Sequence, residues 1–309
     1  MDIEYLLLLQ NLRGSLAGIF DNFFSFITNI AVDYYALAIP LIIFWTFDKR
    51  KGILSLLSIG VSDLLNALAK CTFCVYRPWI RDSRVKPLEA ALPGATGYSF
   101  PSGHATCSGA LYTSLIYNFK KNKGIVILSV LMIALTMFSR NYVGVHTPQD
   151  VFVGLLLGII STFIAAFILN YVDKHKNGDV IILVLGILLT IAVIAYAQVK
   201  AYPVDYVDGK IIVDPAIMKI NSFKGPGEFL GILFAWFIER RFIKFDTNGT
   251  TYQKVIRCLV GVLLLVFFYT TITSIGKLIN INFVYTITSA LTPIIMICIY
   301  PLTWKLFRK

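Results

Sequence analysis

Three short stretches hold most of the residues in this 309-residue chain that could do chemistry. They are Lys70-x6-Arg77-Pro78, then Pro101-Ser102-Gly103-His104, then Ser139-Arg140-x5-His146-x3-Asp150. Together they supply three cations, two of the chain's three histidines, one carboxylate and a Ser-Gly step. A phosphoryl group in transfer carries negative charge spread over its oxygens. Its chemistry therefore calls for positioned cations, an in-line nucleophile and a proton donor. Lys70, Arg77 and Arg140 suit the first role, and His104 and His146 suit the other two.

Each stretch also has a plainer reading. Lys70 and Arg77 are seven residues apart and share a face on a continuous helix. Pro78 disfavours helix at Arg77 and frees its guanidinium to point into a site. The plainer role for such cations at the end of an apolar run is to reach lipid headgroups. Ser102 suits an N-cap, with Gly103 and His104 in a first turn whose free N–H groups attract anions. Thr147, Pro148 and Asp150 read as a capping box. In the sharper alternative Asp150 accepts a hydrogen bond from one His146 nitrogen and leaves the other free to attack. Carboxylates near these stretches are too few to suggest a magnesium site. The five cysteines form no zinc pattern with histidine, and Cys71-x-x-Cys74 falls at a helix end.

The elements that must position these residues are membrane helices. The chain is 57% hydrophobic and only 15% charged, with apolar runs long enough to cross a bilayer recurring throughout. The predicted fold is all-α, a polytopic helix bundle of about nine spans over 25–47, 51–70, 103–119, 124–141, 149–171, 179–199, 227–244, 255–276 and 284–304. Residues 3–22, broken by Gln10, Asn11, Arg13, Asp21 and Asn22, are predicted to form one amphipathic interfacial helix. The acidic start Met1-Asp2-Ile3-Glu4 lacks the basic region of a signal peptide.

The net charge of +11 is spread over short loops rather than gathered in a patch, which argues against a nucleic-acid partner. Alternate loops carry Lys49-Arg50-Lys51, Lys120 to Lys123, Lys174-His175-Lys176, and Arg240-Arg241 with Lys244 and Lys254, and the end carries Lys305 and Arg308-Lys309. By the positive-inside rule these loops and the C-terminus are cytoplasmic, and all three stretches lie outside. The short spans between Ser102 and Arg140 place the site slightly below the outer interface. Trp79 and Tyr98 suit an interfacial belt or a binding role. Asp33 and Asp63 read as structural, and His175 as a solvated loop residue. Residues 207–213 read as a hairpin with an Asp208-Gly209 turn in an outer loop, inert or a lid. The Asn248-Gly249-Thr250 sequon falls in a cytoplasmic loop and is discounted.

The order and spacing of the three stretches resemble the signature of the type-2 phosphatidic acid phosphatase (PAP2) superfamily. That superfamily includes lipid and polyprenyl-diphosphate phosphatases, glucose-6-phosphatase and vanadium haloperoxidases. The motifs cover residues 70–150 and the helix layout about 25–200, so the expected division is a phosphatase core over 1–200 with an added loop and three helices over 201–309. The resemblance implies that His146 is a nucleophile forming a phosphohistidine, oriented by Asp150, and that His104 is the general acid and later the base. It implies that Lys70, Arg77, Ser102, Gly103 and Arg140 bind the phosphoryl oxygens, with no metal or cofactor. The implied substrate is a phosphorylated lipid or polyprenyl diphosphate, met at the outer face of a bacterial plasma membrane. A glucose-6-phosphatase-like hydrolase of soluble esters stands as the alternative, and a transporter of a phosphorylated molecule as a third reading.

Overall fold

A computed structural model describes residues 2–30, 32–207, 210–279 and 281–306. Its helices are α1 (Asp2–Ser15), α2 (Asp21–Asn29), α3 (Asp33–Thr46), α4 (Lys49–Phe73), the single turn α5 (Pro78–Arg81), α6 (Gly103–Asn118) and α7 (Lys123–Tyr142). They continue with α8 (Pro148–Lys174), α9 (Gly178–Val199), α10 (Pro215–Ile238), α11 (Thr251–Ile279), α12 (Asn282–Ile294) and α13 (Tyr300–Leu306). A two-residue strand pair, β1 (Tyr206–Val207) and β2 (Lys210–Ile211), runs antiparallel with Tyr206 opposite Ile211. The Asp208-Gly209 turn, the side chains of Asp33 and Lys305, and Arg308-Lys309 lie outside the described residues.

Among the described residues six helices are long and apolar enough to cross a membrane, or seven if the bent pair α2 and α3 counts as one. The sequence reading expected nine. Three of the nine do not pass alone: α2 and α3 form the bent pair, α6 has only 16 residues, and α10 carries Lys219, Lys224 and Glu228. The predicted interfacial helix over 3–22 is also divided. α1 stops at Ser15, Ala17 and Gly18 take positive φ, and α2 begins at Asp21. α1 lies along the loop after α5 through Arg81–Asp2 and Arg84–Glu4 ion pairs, and Arg13 donates to the Lys86 carbonyl.

α4 is the central post. Ile53, Leu54, Leu56, Leu57 and Ile59 are all fully buried, against α3, α6, α8 and α10. Helices in a bilayer gain little from the hydrophobic effect and associate where small residues let backbones approach. The seam between α6 and α8 follows that rule. A Cβ on Gly158 would sit 2.4 Å from the Thr106 carbonyl and 2.5 Å from the Ala110 nitrogen, both backbone atoms that cannot yield. Gly158→Leu is expected to push these helices apart and destabilise the fold by about 3 kcal/mol, read as a fall in unfolding temperature in detergent. α10 meets α12 in the same manner, with Gly231 against the backbone of Ala290.

The two ends of the bundle differ in charge logic. At one end Arg50 and Arg240 bond Asp173, Arg241 bonds Asp179 and Lys49 bonds Glu239, tying α4, α8 and α9 to the π-helical turn Glu239–Ile243 that follows α10. His175 is at this end, exposed and stacked on Tyr171, and Lys49 reaches the Phe245 carbonyl just before the sequon. The opposite end gathers the C-termini of α4 and α7 and the N-termini of α6 and α8. All three sequence stretches meet there.

Candidate active site

The polypeptide enters the site at the end of α4. Helix stops at Phe73, Cys74 takes a left-handed φ of 51°, and Arg77 is extended with ψ of 151° before Pro78. Lys70 and Arg77 therefore do not share a face of one continuous helix, as their spacing suggested. They converge because the chain turns back, and both reach the same short segment. Arg77 donates from Nη2 to the Thr96 carbonyl at 3.0 Å and from Nε to the Gly97 carbonyl at 3.2 Å. Lys70 donates to the carbonyls of Tyr98 and Ser99 at 3.1 and 3.3 Å. Four consecutive carbonyls thus face two neighbouring cations and offset part of their mutual repulsion.

Local chemistry explains how that segment holds its course. Gly97 sits at a φ of +64°, and a Cβ there would meet Met218 Sδ at 2.4 Å. Tyr98 is fully buried and stacks on Tyr202 at 6.5 Å between ring centroids. Tyr98 is therefore a packing residue and not part of an interfacial belt. Tyr202, Val213 and Met218 are buried against it, and Tyr76 bonds Asp205. The loop of the predicted hairpin thus forms part of the scaffold of the site, anchored by buried side chains.

Two helix N-termini then point inward. Ser102 caps α6, accepting from the Ala105 N–H, and is fully buried. Thr147 and Asp150 form the predicted capping box on α8. The Ser102 N–H donates to the Asp150 carbonyl at 2.9 Å, which locks the second stretch to the third. The first-turn N–H groups and dipoles of both helices favour an anion between them.

His146 lies in the connection between α7 and α8, buried at 2% exposure. Burial first, and then the charges of Arg77, Arg140 and Lys70, push its imidazole pKa well below the ordinary histidine value, so the ring is neutral. Arg77 Nη1 lies 3.0 Å from His146 Nε2, and a guanidinium can only donate. Nε2 is then the acceptor and Nδ1 carries the proton. Nδ1 is 3.3 Å from Ser99 Oγ, which in turn donates to Asp150 Oδ2 at 2.6 Å. The direct bond expected between His146 and Asp150 is replaced by this relay, since their own separation is 3.5 Å. The Asp150 carboxylate is occupied by Ser99 and by the Thr147 N–H at 2.8 Å.

Ser99 was missed in the sequence, where one serine beside a proline turn gives no signal of its own. His104 begins α6 and feels the charges of Arg140, His146, Arg77 and Lys70. Gly103 faces Asn66, whose amide donates to Thr106 and to the Pro101 carbonyl. Arg140 completes the group, fully buried near the end of α7. Trp79 lies beside Arg77, with the guanidinium 5.9 Å from its ring centroid. Asp63 sits apart, its carbonyl packed against Gly225 of α10. Among the described residues no cluster of three or more His, Cys, Asp or Glu side chains is placed to hold a metal ion.

Three cations, a neutral and oriented imidazole and two helix N-termini are thus gathered at one end of the bundle, a set whose charge suits a tetrahedral anion. Comparison with known proteins points the same way. A family model described as "PAP2 superfamily" matches residues 51–174, and one described as "PAP2 superfamily phosphatase, transmembrane extension" matches residues 223–309. The chain is 34% identical over 151 residues to undecaprenyl-diphosphatase BcrC of Bacillus subtilis, covering 48% of this chain and 74% of that one. It is 31% identical over 150 residues to phosphatidylglycerophosphatase B of the same organism, covering 45% and 70%. An undecaprenyl-diphosphatase of Sulfolobus acidocaldarius is 31% identical over 125 residues, covering 40% of this chain and 58% of that protein's length. No solved structure matches significantly.

Proposed function

The chain belongs to the PAP2 superfamily, and from that premise we propose that it is an integral-membrane phosphatase cleaving a lipid phosphate or polyprenyl diphosphate through a phosphohistidine on His146. The observation that carries this reading is the fixed polarity of His146, with Nδ1–H held by Ser99 and Asp150 and the Nε2 lone pair turned toward the cations.

In this scheme Nε2 forms a bond to phosphorus as the bond to the leaving oxygen breaks. His104 gives that oxygen a proton. Water, deprotonated by His104, then attacks phosphorus, the N–P bond breaks and phosphate leaves. Lys70, Arg77 and Arg140, with Ser102 and the Gly103 N–H, hold the equatorial oxygens, and the residues named suffice for each proton movement. Ser99→Ala would cut the relay and let the ring turn. A fall in kcat of roughly 10- to 100-fold is expected, with KM nearly unchanged.

We further read nine crossings, with α6 and α10 completing the bundle inside protein surroundings that tolerate their shortness and charge. The ion-paired end with Lys49-Arg50-Lys51 and Arg240-Arg241 would face the cytoplasm along with the C-terminus, and the active site would face outward. Residues 1–200 are read as the core and 201–309 as an extension packed upon it. A site at the end of short helices suits a phosphate headgroup whose tail remains in the membrane. The names of the relatives favour polyprenyl diphosphate and phosphatidylglycerophosphate as first candidates. Phosphate release by the purified chain should be compared for undecaprenyl diphosphate, phosphatidate, phosphatidylglycerophosphate and glucose 6-phosphate. Preference for the soluble ester would overturn the lipid assignment, and transport without cleavage would overturn the enzyme.

A further inference from the structure

The guanidinium of Arg140 is 2% exposed, yet only one of its nitrogens is bonded. Nη1 donates to the hydroxyl of Thr28 at 2.7 Å, while Nε and Nη2 have no partner. Nε and Nη2 share one edge of the planar group, as two parallel donors matched to two oxygens of a phosphoryl group. Buried charged donors are costly to leave unbonded, and Arg140 lies within electrostatic range of Arg77 and His104, so an anion held among these groups would supply the missing acceptors.

Thr28 belongs to α2, outside the residues 51–174 and 223–309 that the two family models match. It is 3% exposed, and its β-branched side chain has little freedom at χ1. α2 is fastened to α7 on either side of Arg140. Phe24 meets Phe138 and Tyr142 with ring centroids 5.2 and 4.4 Å apart, and the Tyr142 hydroxyl donates to Asp21 at 2.9 Å. The helix therefore grips α7 two residues before and two residues after the arginine.

Resting on the reading of Arg140 as a phosphoryl ligand, we propose that Thr28 is a positioning residue that pins Nη1 and so turns the Nε–Nη2 edge of Arg140 onto the substrate phosphoryl group. The N-terminal helix α2 then belongs to the working enzyme and not only to its membrane anchor.

The test uses the full chain in detergent with four variants: Thr28→Val, Thr28→Ser, Arg140→Lys and the double Thr28→Val/Arg140→Lys. The readouts are kcat and KM on undecaprenyl diphosphate and inhibition by orthovanadate, a mimic of the phosphoryl transition state. In Thr28→Val, kcat/KM is expected to fall about tenfold and vanadate inhibition to weaken similarly. Thr28→Ser, which keeps the hydroxyl, should recover both. Adding Thr28→Val to Arg140→Lys should cost nothing more, since the fork is already gone. A Thr28→Val variant that matches wild type while Arg140→Lys is impaired would overturn the proposal. So would a loss that Thr28→Ser does not recover, or additive losses in the double variant. Full activity in Arg140→Lys would instead overturn the phosphate reading of Arg140 itself.

Discussion

His146→Ala is expected to lower phosphate release by about 10⁴-fold or more, the cost typical of deleting a nucleophile from a hydrolytic relay. The imidazole has two polar partners, Ser99 on one nitrogen and Arg77 on the other. The ties that shape the loop end on backbone carbonyls and survive the change. Asn141 still donates to the carbonyl of residue 146 at 2.9 Å, and Ser102 still bonds the Asp150 carbonyl. A normal elution profile with activity lost is therefore the expected pair of results. Activity within tenfold of wild type would remove His146 from the mechanism.

Arg77→Lys should be the next most damaging change that preserves charge. The arginine uses all three nitrogens, on the carbonyls of Thr96, Gly97 and Val145, and reaches His146 Nε2 as well. An ammonium cannot span that set. Two or more buried carbonyls would lose their donor, at about 1–3 kcal/mol each, so unfolding temperature should drop. On the proposed role of Arg77 as a phosphoryl ligand, kcat/KM should also fall by roughly 10²- to 10³-fold. Near-normal kcat/KM would mean that Arg77 holds the loop without serving the reaction.

What could be read from the chain beforehand divides along physical lines. Helix positions and both caps were legible, because apolar runs and residues such as Ser102 and Thr147-Pro148 act locally. The convergence of Lys70 and Arg77 was anticipated for a wrong reason. Their spacing suggested one helix face, whereas a left-handed Cys74 ends the helix between them. Ser99 and Thr28 were invisible, since a small hydroxyl inside apolar sequence gains its meaning only from what lies opposite in space. Length and apolarity pick out fewer spans than the nine expected, because α6 is short and Lys219, Lys224 and Glu228 lower the apolarity of α10.

The row of carbonyls from Thr96 to Ser99 has a consequence for how this protein can vary in length. Lys70 and Arg77 read those four peptides in strict sequence, and His104 follows five residues later on a capped helix. An added or deleted residue between Thr96 and Ser99 would put those carbonyls out of register with their donors, and one between Ser99 and His104 would turn the histidine off its bearing. At Leu92-Pro93-Gly94 the chain is exposed and its backbone bonds are local turns, and there it can lengthen without disturbing that register. Insertions, natural or engineered, are expected to be tolerated on that side of Thr96 and lethal to activity on the other.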